Sequence, residues 1–303
     1  MLLFDKKTKK QAIRVCLRIA NEGTSIAISK LIAGKIQLHH CEYFSAFDLE
    51  QNPDSIQDFI EKNNLDGANT SLVLANEDYQ LLLTEAPEVG ADELCEALWW
   101  KVKDLVAFEI ENAQIDYIEL PADSAKHQGR KIYAVIADKS KVKAKIAKLE
   151  ALGLNPTTVE VPETALLHLV ANLCTDLVGT SIIYLDPEQS LLMLLSEENM
   201  YLSRTLQYNY LERMDAVALD VQRSMDYYES QIGKPPCTKI IVLPLQQDDS
   251  DVMQVLRNNI GVEILSFDMN TLVSSDEALS IDIQQHCLLA ISGSLRVDKK
   301  AKK

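Results

Sequence analysis

The residues able to do chemistry are few and scattered. Ser190, His168 and Asp186 are the types that a nucleophilic hydrolase combines, yet Ser190 closes the stretch Asp186-Pro187-Glu188-Gln189-Ser190 with no nucleophile-elbow pattern around it. His39 and His40 are adjacent on an apparent strand, so they point to opposite faces and do not chelate one ion together. The histidines (39, 40, 127, 168, 286) and cysteines (16, 41, 95, 174, 237, 287) show no metal-ligand spacing and no CxxC pair. Glu109 with Glu111, and Asp248 with Asp249, read as solvated surface carboxylates. No catalytic or metal set emerges, and the cysteines read as reduced, mostly buried thiols of a cytoplasmic protein.

The elements that would position any site are clearer. Residues 13–19 (IRVCLRI) alternate as a half-buried strand, followed by strands over 26–32 and 36–44, a helix over 54–64 and a strand over 71–75. The order recurs: strands at 182–186, 191–196 and 200–206, a helix over 209–231 and a strand at 239–243. In that long helix Leu211, Met214, Ala218, Val221, Met225 and Tyr228 form one apolar stripe. A helix over 251–259, a strand over 262–265 and a helix over 277–292 complete the second copy.

Between the copies, residues 78–161 read as a small α/β unit. It has a helix over 91–108 with Leu94, Leu98, Val102, Leu105 and Val106 inward, and a strand at 114–119. A polar loop (122–129), a strand at 131–137, a helix over 139–151 and a strand at 157–161 follow, then a helix from Pro162. Trp99 and Trp100 are about 100° apart on the first helix, so one sits at the edge, either packed against the sheet or offered to a partner.

Composition narrows the function. The 45 Asp and Glu against 30 Lys and Arg give a net charge of −15, which argues against a nucleic-acid binder. Residues 1–14 and 296–303 are each about +4, so the body is near −23. These basic ends read as solvated tails or as weak contacts with an anionic membrane. No apolar run approaches the ~18 residues of a membrane span, and the start is too short for a signal peptide. Ten glycines in 303 residues are under half the usual ~7%. Phosphate-binding loops lean on glycine, because backbone must approach phosphate closely.

Duplicated meander–helix–strand halves with a small insertion in the first resemble the plan of the actin-like ATPase fold, an α/β, ribonuclease H-like duplication. Within it the chain resembles PilM, the cytoplasmic actin-like family of type IV pilus assembly. The stretches that carry the likeness are LTEAPEVGADELCEALWWKVKDLVAFEIENAQIDYIEL, KIAKLEALGLNPTTVEVPETALLHL, Ser203-Arg204-Thr205, LDVQRSMDYY and LAISGSLR. It is most similar to a shorter branch serving the MSHA pilus, and the cytoplasmic module of the GspL type II secretion protein has a related plan. The resemblance implies a subdomain 1A over 12–77 plus 162–178, an inserted subdomain 1C over 78–161 and a second domain over 179–297. Residues 1–11 and 298–303 are then basic tails.

In that family two hairpin loops and a glycine-rich loop hold nucleotide. By resemblance, the acidic Mg²⁺-placing position is Arg18 here and the first-loop glycine is Ala20, with a longer turn. The second loop keeps Asp186 but has Glu188 for glycine, and the third runs into Pro244-Leu245. The expectation is therefore no catalysis and no cofactor, with weakened ATP-Mg binding or an active ATPase as the alternatives. The implied role is a scaffold at the cytoplasmic face of the inner membrane, coupled to the pilus motor. It would bind the N-terminal cytoplasmic peptide of a PilN-like membrane protein in a groove of the first domain, expected at the sheet of residues 13–44.

Overall fold

The computed structural model describes residues 13–106, 108–121, 129–174 and 177–296. The basic ends (apart from Ile13, Arg14 and the segment up to Arg296) and most of the polar loop at 122–129 lie outside the described residues. Among the described residues there are thirteen strands and eight helices, in three sheets.

The chain divides into two units, residues 1–165 with 289–295, and residues 166–288 with 296–303. In the first unit, β1 (Ile13–Ala20), β2 (Gly23–Ile32) and β3 (Lys35–Ser45) form an antiparallel meander. Helices α1 (Ala46–Gln51) and α2 (Ser55–Lys62) lead to β4 (Asn69–Val73), which returns parallel to β1. The side chain of Ser45 starts α1 by accepting from the amide of Asp48 at 3.1 Å.

Next comes the insertion: β5 (Tyr79–Glu85), α3 (Leu94–Val102), β6 (Ala113–Glu119) and β7 (Lys131–Asp138). Its three strands pair in the order β5-β7-β6. Then α4 (Lys139–Ala151) leads to β8 (Asn155–Glu160), which joins the first sheet as its outer strand beside β4. The sheet order is β3-β2-β1-β4-β8. Helix α5 (Pro162–Val170) follows.

The second unit repeats this order with its own sheet: β9 (Thr180–Tyr184), β10 (Leu191–Ser196), β11 (Asn199–Thr205), α6 (Tyr210–Tyr227), β12 (Lys239–Leu243), α7 (Asp251–Asn259) and β13 (Glu263–Ser266). The order β11-β10-β9-β12-β13 matches the first sheet strand for strand, antiparallel and parallel pairs included. The last helix, α8, covers Ile281–Ser294.

The match shows where the sequence reading of the insertion ran long. It assigned 139–161 to the inserted unit, whereas α4 and β8 are the counterparts of α7 and β13. The reason is packing: Val142 and Leu149 are buried with Leu72 and Leu74 in the core of the first sheet. The insertion has a separate core of Leu94, Leu98, Val102, Ile132, Ala134 and Ile136. Strand β7 explains the near-continuous apolar run KIYAVIA. One face meets α3, while Val135 and Ala137 on the other lie with the core that contains α4.

Three further expectations change. Leu105 is 63% exposed, because α3 ends at Val102 and the stripe ends with it. Leu211 is 66% exposed, because Arg213 (φ −136, ψ 52) breaks the helical geometry of the first turn of α6. The other members of the α6 stripe are buried. Strand β5 was not expected at all: YQLLLTE lacks alternation, and its residues are only half-buried or exposed.

Candidate functional site

Each expected nucleotide loop can be built from its own residues. The first is the turn between β1 and β2, where Ala20 pairs with Gly23 and only Asn21 and Glu22 intervene. The expected longer turn is thus a two-residue hairpin. Gly23, at φ +154, could not carry a side chain, since a Cβ there would sit 2.3 Å from the carbonyl oxygen of Phe44. Arg18, 7% exposed, turns its guanidinium to the Glu22 carboxylate. The backbone oxygen of Glu22 accepts from the Tyr43 hydroxyl at 2.7 Å and from the Ala46 amide at 2.9 Å. From α4, Lys145 reaches the Ile19 carbonyl at 2.8 Å and pairs with the buried Asp78 carboxylate. A cation now stands where the resembled family places an acid for Mg²⁺, and its charge is spent on a neighbouring glutamate.

The second loop, between β9 and β10, is closed on itself. The Asp186 carboxylate, 5% exposed, accepts the amides of Glu188 at 2.9 Å and Gln189 at 3.3 Å, and the Tyr184 hydroxyl at 3.3 Å. Ser190 Oγ accepts from the Asp186 amide and donates to its carbonyl, both at 3.2 Å. The amides that a phosphate would need are satisfied by a fixed negative charge, and Pro187 has none to offer. Burial, then the Asp186 charge, pushes the Tyr210 hydroxyl above its ordinary pKa. The hydroxyl of Ser190, which the sequence reading set aside as a nucleophile, serves this turn as a structural group.

The third loop leaves β12 through a cis Leu243–Pro244 bond. Gln246 exchanges backbone hydrogen bonds with the Ser266 hydroxyl at 2.7 and 2.8 Å. Asp248 takes Arg257 of α7 at 2.9 Å, and Ser250 caps that helix through the Met253 amide. Here too the loop's polar groups bind the protein itself.

The remaining candidates resolve simply. His39 falls in a bulge, with Ile28 opposite His40 and Ser29 opposite Leu38, and His40 stacks on Phe59 at 5.3 Å. Among the described residues no group of three His, Cys, Asp or Glu could hold a metal. Trp99 is half-buried and donates to the Ile110 carbonyl at 3.2 Å, while Trp100 is 62% exposed beneath the Lys103 ammonium.

One concavity was not foreseen. A groove of about 450 Å³ in the first unit lies between β6 and β7 on one side and α4 and β8 on the other. Leu74, Ile118, Val135, Val142, Ile146 and Val159 give it an apolar lining, with Glu160, Lys139 and Lys143 among its polar groups. Two edge strands, β6 and β8, border it. The sequence reading had looked instead to residues 13–44. Nothing in the local pattern marks this groove, since its walls come from four segments spread over ninety residues.

Among the solved structures that share this architecture, three are described. A PilM-PilN type IV pilus biogenesis complex aligns over 93% of this chain and 97% of its own at TM-score 0.74 and 16% identity. A Bacteroides thetaiotaomicron protein with an actin-like ATPase fold and unknown function aligns over 94% and 98% at TM-score 0.56 and 12% identity. The chain has the actin-like ATPase fold. The cytoplasmic domain of EpsL, an inner membrane component of the type II secretion system of Vibrio cholerae, aligns over 92% and 95% at TM-score 0.51 and 12% identity. At such identities the likeness establishes the fold alone. No family model and no curated protein sequence matches the chain. Among the described residues, no helix of this actin-like chain is long and apolar enough to cross a membrane.

Proposed function

We propose that this chain is a catalytically silent actin-like scaffold of a type IV pilus assembly platform, of the MSHA-pilus branch. In this reading the fold is retained for its surfaces. Its partner is the N-terminal cytoplasmic segment of a PilN-like inner-membrane protein, which holds the scaffold at the cytoplasmic face beside the assembly motor. The observation that carries the non-catalytic part is the Asp186 carboxylate accepting the loop amides of Glu188 and Gln189. A triphosphate would have to displace a buried charge from its own donors, against like charge. Arg18, bound to Glu22, supports the same conclusion at the first loop.

The groove between β6 and β8 supports the partner role. Its apolar lining suits alternate side chains of an extended peptide, and two strand edges border it. The likeness to a PilM-PilN complex over almost the whole chain favours a PilN-like partner over a free nucleotide as ligand.

Calorimetric titration separates the readings. Mg-ATP should give no heat of binding at micromolar to millimolar concentration, and micromolar binding with turnover would overturn the scaffold reading. The N-terminal peptide of a PilN-like protein should bind, and Val159→Asp should weaken it at least tenfold, since Val159 lines the groove and is 40% exposed. Binding of a type II secretion partner's peptide in place of the pilus one would move the protein to that assembly.

A further inference from the structure

Helix α4 sorts its lysines by face. In KSKVKAKIAK, Lys141 and Lys145 are four residues apart and so lie one above the other on the helix, and both are spent on the protein itself. Lys141 Nζ donates to the Glu77 carbonyl at 3.4 Å, and Lys145 meets the Asp78 carboxylate and the Ile19 carbonyl. Lys139 and Lys143 form a second pair at the same spacing. They stand on the groove beside Val142 and Ile146, and both are exposed. Among the described residues neither has a hydrogen bond or an ion pair. Like charges four apart on a helix repel, so the fold gains nothing from keeping this pair together.

The facing wall carries the opposite sign. Strand β6 sends every second side chain, Gln114, Asp116 and Ile118, to the groove, while Ile115 packs with α3 on the other face. Asp116 is exposed; its carboxylate accepts from the adjacent Tyr117 amide at 2.8 Å and, among the described residues, meets no cation. Glu160, the other acid of the lining, is buried and belongs to the base of the groove rather than its rim. The rim is therefore polarised, with two lysines on the α4 side and one aspartate on the β6 side, over an apolar lining that includes Val135, Val142 and Val159.

We propose that the occupant of this groove is an extended segment whose apolar run is interrupted by two adjacent residues of opposite charge, an acidic side chain turned to Lys139 and Lys143 and a basic one turned to Asp116. The inference rests on the reading of the groove as a peptide site and adds the charge signature of the peptide. In an extended chain neighbouring side chains point to opposite sides, so two adjacent residues meet opposite walls. Apolar residues before and after them fill the lining between the two strand edges. Exposed charge pairs of this kind select the partner and fix its register more than they add affinity. A small free anion would meet the lysines and leave the apolar lining bare. A nucleic acid would be repelled by Asp116 and by the net charge of −15.

Calorimetric titration of the full chain with capped synthetic hexapeptides tests it. At ~0.1 M salt Val-Leu-Lys-Asp-Val-Leu should bind about tenfold tighter than the neutral Val-Leu-Gln-Asn-Val-Leu, since each exposed ion pair contributes up to about fivefold. Near 1 M salt, where the screening length is about 3 Å, the two should bind alike. Lys139→Glu with Lys143→Glu should invert the order of Val-Leu-Lys-Asp-Val-Leu and Val-Leu-Lys-Lys-Val-Leu, which the unaltered chain binds more weakly. Asp116→Asn should weaken the first of these up to about fivefold. If the charge-reversed variant fails to fold by circular dichroism, Lys139→Gln with Lys143→Gln decides, and it should lose most of the tenfold gain. Equal binding of charged and neutral peptides, with Val159→Asp weakening both, would overturn the charge signature and leave the groove as a peptide site. Binding of no peptide, or binding indifferent to Val159→Asp, would overturn the peptide site and this inference with it. Self-association of the chain that is lost in the lysine variants, with no peptide bound, would assign the lysines to a second copy and overturn the proposal.

Discussion

Asp186 concentrates the argument about activity in one side chain. By position it is the acid the resembled family keeps at its second phosphate loop; by contacts it is the loop's own anchor, holding two amides and a tyrosine hydroxyl. Asp186→Ala should therefore act on stability, because it takes the acceptor from the buried Tyr184 hydroxyl and from the two loop amides, at a cost of about 1–3 kcal/mol. Urea denaturation should show that loss, and peptide binding at the groove of the first unit should be unchanged. A gain of Mg-ATP binding in the variant would show that the carboxylate alone had excluded phosphate. Lys145 has the opposite history. Nothing in KVKAKIAKLE distinguishes it from its neighbours, yet it alone ties the first hairpin to Asp78. Its role comes from the direction α4 takes over the sheet, which no local pattern encodes.

At the scale of elements, the end of helix α8 packs closely on the first sheet. A Cβ at Gly293 would lie 2.5 Å from Cys16 Sγ and 3.1 Å from Val73 Cγ2, so the helix approaches β1 and β4 as nearly as a glycine permits. Gly293→Ala should cost about 1–3 kcal/mol by overpacking. Cys16→Ala should recover much of that loss, because it removes the sulfur that the new methyl meets. A double-mutant cycle by chemical denaturation would measure the coupling, and strict additivity would refute this contact. The elements themselves were mostly legible. The alternation of IRVCLRI marks β1 and the continuous apolar run KIIVL marks β12, which is buried on both faces. Strand β1 differs from the half-buried strand expected: Val15 to Arg18 are buried on both faces, because the sheet is covered on each side there. Strand β5 and the distorted start of α6 were not, since one is covered by little and the other turns on a single backbone angle at Arg213.

For the whole molecule, both units hide acids that are neutral when folded. Burial pushes the Cys16 thiol well above its ordinary range, aided by the Glu160 charge, and pushes Cys237 up to about 12. Burial likewise raises the Tyr228 hydroxyl. A raised pKa in the folded state means that the unfolded chain gives up these protons first. Stability is then intact below about pH 9 and falls as pH rises through the folded values, by about 1.4 kcal/mol per pH unit for each such thiol. Thermal melts between pH 8 and 11 should show this decline, and Cys237→Ala should flatten it. An unchanged slope in that variant would assign the alkaline loss to other groups.

The sequence by itself determined the duplicated plan, the shortage of loop glycine and the residues that stand in place of it: Ala20, Glu188 and Pro244. The plan and the shortage follow from local pattern and composition, which are read within a few residues, whereas the three positions are what the resemblance implies. Tertiary structure decided what those residues do. It turned Arg18 onto Glu22 and Asp186 onto its own amides, and it moved α4 and β8 from the insertion to the first sheet. It also opened a groove between segments ninety residues apart. Such outcomes depend on which faces find each other across the fold, and long-range pairing leaves no mark in any short stretch of chain.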